Sequence, residues 1–226
     1  MTGHSHQRFC LLLVGVVLLH VQVLSQEVVD KTVATVSDGV NTELITLSDL
    51  KWQLALQPNT PLDPPTSDDL NNALRILIDQ RLFALEAQRI PSPPTSDSEI
   101  AAKIAEILTY FPSTADFERR LRTVGFSSVS DDNFEAIIRQ RIAIEKYLDF
   151  RFRSFIVVTP EDEGTYYREI FVPDFRRRFP DLLLPTLDEK RPEINALITE
   201  DRVAAAIEAF LDEARRRAEV VVLSEV

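Results

Sequence analysis

Helix starts punctuate this chain more clearly than any other signal. Thr46 with Asp49, Ser96 with Glu99, Ser113 with Asp116 and Thr186 with Glu189 each set a hydroxyl and an acid three residues apart. At that spacing the two side chains satisfy each other's free backbone amides at the first turn of a helix. Thr159 followed by Pro160 is a fifth start, with proline where its missing N–H costs nothing. Prolines mark the joints: Pro58, Pro61, Pro64 and Pro65 close one segment, Pro91, Pro93 and Pro94 another, and Pro112, Pro160, Pro173, Pro180, Pro185 and Pro192 follow. Gly125 falls where a helix begun at Ser113 should stop.

Between these marks the apolar residues recur at helical steps. A helix from about Ser67 aligns Leu70, Ala73, Leu74, Leu77, Ile78, Leu82 and Leu85. A second, from about Ser130 to Phe155, aligns Phe134, Ile137, Ile138, Ile142, Leu148 and Phe152, and a third, from about Asp201 to Ala218, aligns Val203, Ile207, Phe210, Leu211, Ala214 and Ala218. Such stripes are core faces, each buried by another helix. Strand signals are confined to the two ends: Val33, Thr35 and their neighbours before the turn Ser37-Asp38-Gly39, Leu44-Ile45-Thr46 after it, and the β-branched run at residues 219–223. Pairing the last with the first gives a mainly α, multi-helix fold with a small β element joining the N- and C-terminal strands.

Residue scarcity bounds the chemistry. All three histidines (His4, His6, His20), the one cysteine (Cys10) and the one methionine (Met1) fall in the first 20 positions. That stretch reads as an export leader: Arg8 in a polar start, an apolar run over residues 11–24, then Val23-Leu24-Ser25 as a cleavage site. The run is shorter than the roughly 20 apolar residues of a membrane span and contains His20 and Gln22. Cleavage after Ser25 is expected, leaving residues 26–226 as a single exported domain with no His, Cys or Met. Such a chain has no Ser-His-Asp or Cys-His triad, no imidazole or thiolate zinc site and no disulfide. Only Gly39, Gly125 and Gly164 remain, too far apart for a glycine-rich phosphate loop. No metal-binding or catalytic motif stands out among the carboxylates, so neither catalytic, metal nor cofactor-binding residues are expected.

Charge narrows the partners. The full chain has 25 Lys and Arg against 36 Asp and Glu, a net −11; loss of Arg8 with the leader leaves 24 against 36, or −12. An acidic chain is a poor ligand for nucleic acid or anionic lipid. The basic clusters Arg119, Arg120 and Arg122, Arg176 to Arg178, and Arg215 to Arg217 read as solvated helix faces. What remains is apolar surface. Most aromatics pack in a core, but an open cluster of several is a binding surface for extended apolar peptide. Trp52, Tyr110, Phe111, Phe117, Phe126, Tyr147, Phe150 and Phe155, near helix ends and loops, are the candidates.

The order of segments resembles a known family. VVDKTVATVSDGV, LITLSDLKWQL, LRILIDQRLFALEAQRI, TSDSEIAAKIAEI and ADFERRLRTVGF, in that order, are similar to the N-terminal chaperone domain of the SurA-type periplasmic folding factors. VVTPEDEGTYYREI resembles the family's exit from that domain, and residues 202–223 its closing helix and strand. The resemblance implies a trigger-factor-like peptide-binding fold. It further implies an ATP-independent periplasmic chaperone that holds unfolded or outer-membrane polypeptides in an apolar crevice. Many members insert parvulin-type prolyl isomerase domains where this chain has only residues 171–188. A parvulin needs on the order of 100 residues for its own core. The family's parvulin pockets also contain histidines. The implied protein is therefore the chaperone module, residues 26–170 with a closing segment at 189–226, without the isomerase. An isomerase-related folding factor and a structural subunit of an envelope complex are the alternatives.

Overall fold

The computed structural model describes residues 30–90 and 93–226; the leader and Pro91 lie outside them. The fold is mostly helical with one small antiparallel sheet. Strand β1 (Thr32–Ser37) turns into β2 (Thr42–Thr46) through a loop that Asp38 organises, its Oδ1 accepting from the amides of Val40 and Asn41 at 2.9 and 2.8 Å. Gly39 takes φ +86° there, a conformation that favours glycine. Strand β3 (Glu219–Val222) pairs antiparallel with the other edge of β1, Ala34 opposite Val222 and Ser37 opposite Glu219, giving the order β2-β1-β3. The first and last strands among the described residues thus meet, as the β-branched run predicts. A bulge between Thr32 and Ala34 inserts one extra residue in β1, so Val33 and Ala34, though adjacent, are both fully buried.

Thr46 ends β2 and caps α1 (Leu47–Ala55) in one residue. Helices α2 (Ser67–Ala87), α3 (Asp97–Leu108), α4 (Thr114–Thr123) and α5 (Asp132–Arg151) follow, with a short 3-10 turn at Arg153–Phe155. Hydroxyls cap the starts foreseen at Thr46, Ser96, Ser113, Thr159 and Thr186. At the end of α4, Gly125 adopts φ +102°; its N–H donates to the Arg122 carbonyl at 3.2 Å and that of Phe126 to Leu121 at 3.0 Å. This pair of bonds satisfies carbonyls the helix would otherwise leave open.

Helix α6 (Pro160–Tyr166), a π turn (Tyr167–Phe171) and α7 (Val172–Arg178) run on without a break. Pro173 explains the π turn: it has no N–H to give the preceding turn and its ring crowds the carbonyl four residues back. Helix α8 (Leu187–Arg217) is longer than its stripe from Asp201 indicates. It starts at the Thr186 cap and passes through Pro192. No helix among the described residues is long and apolar enough to cross a membrane.

Two cores result. The first lies under the sheet, where Val33, Val36 and Ile45 meet Leu50 and Leu54 of α1, Leu74, Leu77 and Leu85 of α2, Tyr147 of α5 and Val203 and Leu211 of α8. The second joins α3, α4 and the start of α5 through Ile100, Phe111, Phe117, Leu121, Phe126, Phe134 and Ile138. Arg120 of α4 ties the two: its guanidinium donates to the carbonyls of Leu54, Ala55, Gln57 and Thr60 at 2.9–3.2 Å. This arginine is therefore no part of a solvated face; it closes the C-terminal end of α1, where the helix dipole favours a cation. Arg215 likewise pairs with Asp79 of α2 at 2.7 Å, whereas Arg176 to Arg178 stand exposed.

Candidate functional site

The eight nominated aromatics separate by environment. Phe111, Phe117 and Phe126 fill the second core with Phe134, their ring centroids 4.6–5.9 Å apart in sequence of contact; Phe117 is 0 % exposed. Trp52 seals that core's edge, its centroid 5.1 Å from Phe126 and its indole N–H donating to the Val124 carbonyl at 3.0 Å. Tyr147 is buried in the first core, where burial and the Glu86 carboxylate hold its hydroxyl above the ordinary pKa. Three remain open to solvent: Tyr110 at 63 %, Phe150 at 55 % and Phe155 at 70 %. Phe150 and Phe155 meet edge to face at 6.4 Å, while Tyr110 stands apart after α3.

That exposed pair adjoins a cavity. Between the C-terminal half of α2 and the outer half of α5 lies a groove of about 690 Å³. Ala84, Ala87 and Gln88 form one wall, Gln140, Ala143, Ile144, Tyr147 and Phe150 the other, and Ile90 and Pro93 border it. The groove exists because small residues face each other: Ala84 and Ala87 on α2 and Ala143 on α5 fill too little space to close the gap. Lys146 lies on its lining, but Glu99 at the start of α3 neutralises it at 2.8 Å. That lysine, with the Ser96 cap, holds the Glu99 carboxyl down at about 2. A largely apolar groove of this size matches the usual dimensions of a site for small or extended ligands.

Toward the start of α5 polar groups join the apolar lining. A second cavity, of about 40 Å³, is lined by Asp49 and Gln53 of α1, Gln80 and Arg81 of α2 and Arg141 of α5, and it shares Gln140 and Ile144 with the groove. Arg81 is well supplied: it pairs with Asp49 at 3.3 Å and donates to the Leu44 carbonyl and to Gln140. Arg141 donates to the Gln53 side-chain oxygen, but its Nε has no acceptor among the described residues.

Comparison with protein-family models and with curated proteins returns no match to this chain.

Sequence reasoning aimed at large side chains and so missed the groove's alanines, Ile90 and Ile144. The i, i+3 pair Ala84 and Ala87 on an otherwise bulky stripe was the available signal, but it becomes a cavity only against Ala143 of a partner helix. The eight nominated rings leave out the row Tyr167, Phe171, Phe175 and Phe179, whose successive centroids lie 5.3–5.7 Å apart from the π turn to the end of α7. Their i, i+4 spacing is legible. Ile170, Phe179, Leu182 and Leu183 leave the surface around that row exposed, Leu183 at 93 %.

Proposed function

We propose that this chain is a non-catalytic, ATP-independent holding chaperone of the periplasm, taking an apolar stretch of an unfolded or outer-membrane polypeptide into the groove between α2 and α5. The observation that carries the reading is the groove itself, about 690 Å³ and lined mainly by aliphatic and aromatic side chains, with Phe150 in its wall and the Phe155 ring edge to face with Phe150. A holding chaperone needs sequence-tolerant contacts. Alanines, isoleucines and ring edges make these through dispersion and water release, with few fixed polar demands. The segment order that resembles the SurA-type chaperone domain points the same way, as does the short connection where that family carries its isomerase.

The purified protein, at stoichiometric amounts, is expected to slow aggregation of an unfolded outer-membrane β-barrel polypeptide diluted from urea. Phe150→Ser with Phe155→Ser should abolish most of that protection while leaving the unfolding free energy from urea melts within about 0.5 kcal/mol of wild type, since both rings are largely exposed. Absence of protection by the unaltered protein would sink the proposal. A competing reading, a fixed subunit of an envelope complex, draws on the exposed apolar surface about Phe179, Leu182 and Leu183. A single stoichiometric partner recovered by pull-down, lost on Leu182→Ser with Leu183→Ser, would favour it. Neither reading expects accelerated cis/trans exchange in a proline peptide.

A further inference from the structure

We infer that the cleft between α2 and α5 recognises a carboxylate attached to an apolar peptide segment, with Arg141 as its receptor and the adjoining groove as the seat of the apolar side chains. The inference rests on the peptide-holding reading and specifies what that site selects. Its basis is the imbalance between two neighbouring arginines. Arg81 has Asp49 as its counter-charge. Arg141 has no carboxylate within ion-pair distance among the described residues, only the neutral oxygen of Gln53, and its Nε is buried without an acceptor. Glu145, one turn along α5, is close enough to favour the charged guanidinium, but its ion pair is with Lys103 at 2.8 Å.

Arginine keeps its proton inside a protein and presents a planar fork of N–H groups that fits a carboxylate's two oxygens. Gln53 and Gln80 stand beside it, and Gln80 donates to Gln53 at 3.5 Å, so two amides share the cavity wall with the guanidinium. Among the described residues Asp49 is the one acid lining this cavity, and it is paired with Arg81. The cavity, about 40 Å³, has room for a small polar group. Because Gln140 and Ile144 line both cavities, an occupant of the small one continues directly into the groove. Arg141 and Tyr147 are six residues apart on α5, roughly 9 Å along its axis, which an extended chain covers in about three residues. The preferred ligand is thus a carboxylate with two or three apolar residues beside it, supplied either by a polypeptide's C-terminus or by an Asp or Glu side chain.

Three fluorescein-labelled peptides titrated against the full protein test this by anisotropy: a hexapeptide ending in three leucines as the free acid, the same peptide as its C-terminal amide, and the amide with a glutamate preceding the leucines. The free acid is expected to bind at least about tenfold more tightly than the plain amide, the order expected when one partner of a buried charge pair is removed. Arg141→Gln should erase that difference. Tight binding of the glutamate peptide together with the acid supports the same receptor and assigns a side-chain source; tight binding of the acid alone assigns the chain terminus. Equal affinity for acid and plain amide in the unaltered protein overturns the carboxylate assignment and leaves the groove reading standing. Failure of all three to bind overturns both. The acid-to-amide ratio is read on the unaltered protein, so it decides even if the Arg141 variant does not fold.

Discussion

Phe117 touches Phe111 and Phe134 and has no exposed surface, so it is the residue on which the second core depends most. Phe117→Ala should cost about 3–5 kcal/mol, the usual range when a buried ring leaves a cavity, read as a shift in the urea midpoint. Trp52 reports the transition directly, because it packs on Phe126 of the same cluster. At the surface, three carboxyls lie at about 2 in the folded protein: Asp38, held by the Asn41 and Val40 amides and Arg89; Glu99, by Lys146 and Ser96; Asp162, by Arg202 and Thr159. Their ordinary values are 3.8, 4.5 and 3.8. A carboxyl whose pKa falls on folding binds its proton more tightly in the unfolded chain, so its contribution is present above the ordinary value and lost as pH drops through the folded one. Stability should therefore be level from neutral pH down to about 5 and decline from there toward 2. Asp38→Asn should make the decline shallower, in urea melts taken across that range.

Among the elements, α4 offers the cleanest test of backbone geometry. A Cβ added at Gly125 would meet nothing within 4 Å, so Gly125→Ala carries no clash, only the strain of φ +102°. The expected loss is about 1–2 kcal/mol, measured by chemical denaturation. Element starts and this stop were legible in the sequence because capping depends on residues three or four apart. The extent of α8 was less so: the stripe from Asp201 and the cap at Thr186 read as separate signals, since Pro192 breaks the pattern of a continuous helix. The structure joins them because α6 packs on the first half of α8, where buried Glu163 accepts from Arg191 and Asn195 and Asp162 pairs with Arg202. Such tertiary support outweighs one missing hydrogen bond. The candidate site was legible in part. Phe150 and Phe155 could be nominated as aromatics, but nothing local distinguishes them from Phe117 and Phe126, whose burial is decided by which helix lies opposite. The groove and the unbalanced Arg141 belong to pairs of helices, and no single stretch of sequence contains them.

At the scale of the whole molecule, the sheet decides whether the first core is sealed. Val220 of β3 packs against that core, and Val33 accepts from the Leu223 amide at 2.7 Å. Truncation after Arg217 would strip one edge of β1 of its partner and uncover apolar surface. A loss of roughly 3 kcal/mol is expected from a handful of backbone bonds at about 1 kcal/mol each, together with concentration-dependent self-association through the opened edge. Light scattering on the truncated and full chains would check the second effect; unchanged mass and an unchanged urea midpoint would contradict it.

The pairing of Ser37 with Glu219 also sets an order in time. A ribosome makes β1 and β2 almost at once, and their pairing is local, though two strands alone hold only marginally in water. The other edge of β1 must then wait until the chain has been made as far as β3. For that interval the chain itself displays an unpaired strand over an unfinished core. A protein proposed to shelter unfolded chains is thus, during its own synthesis, one of the chains that need sheltering.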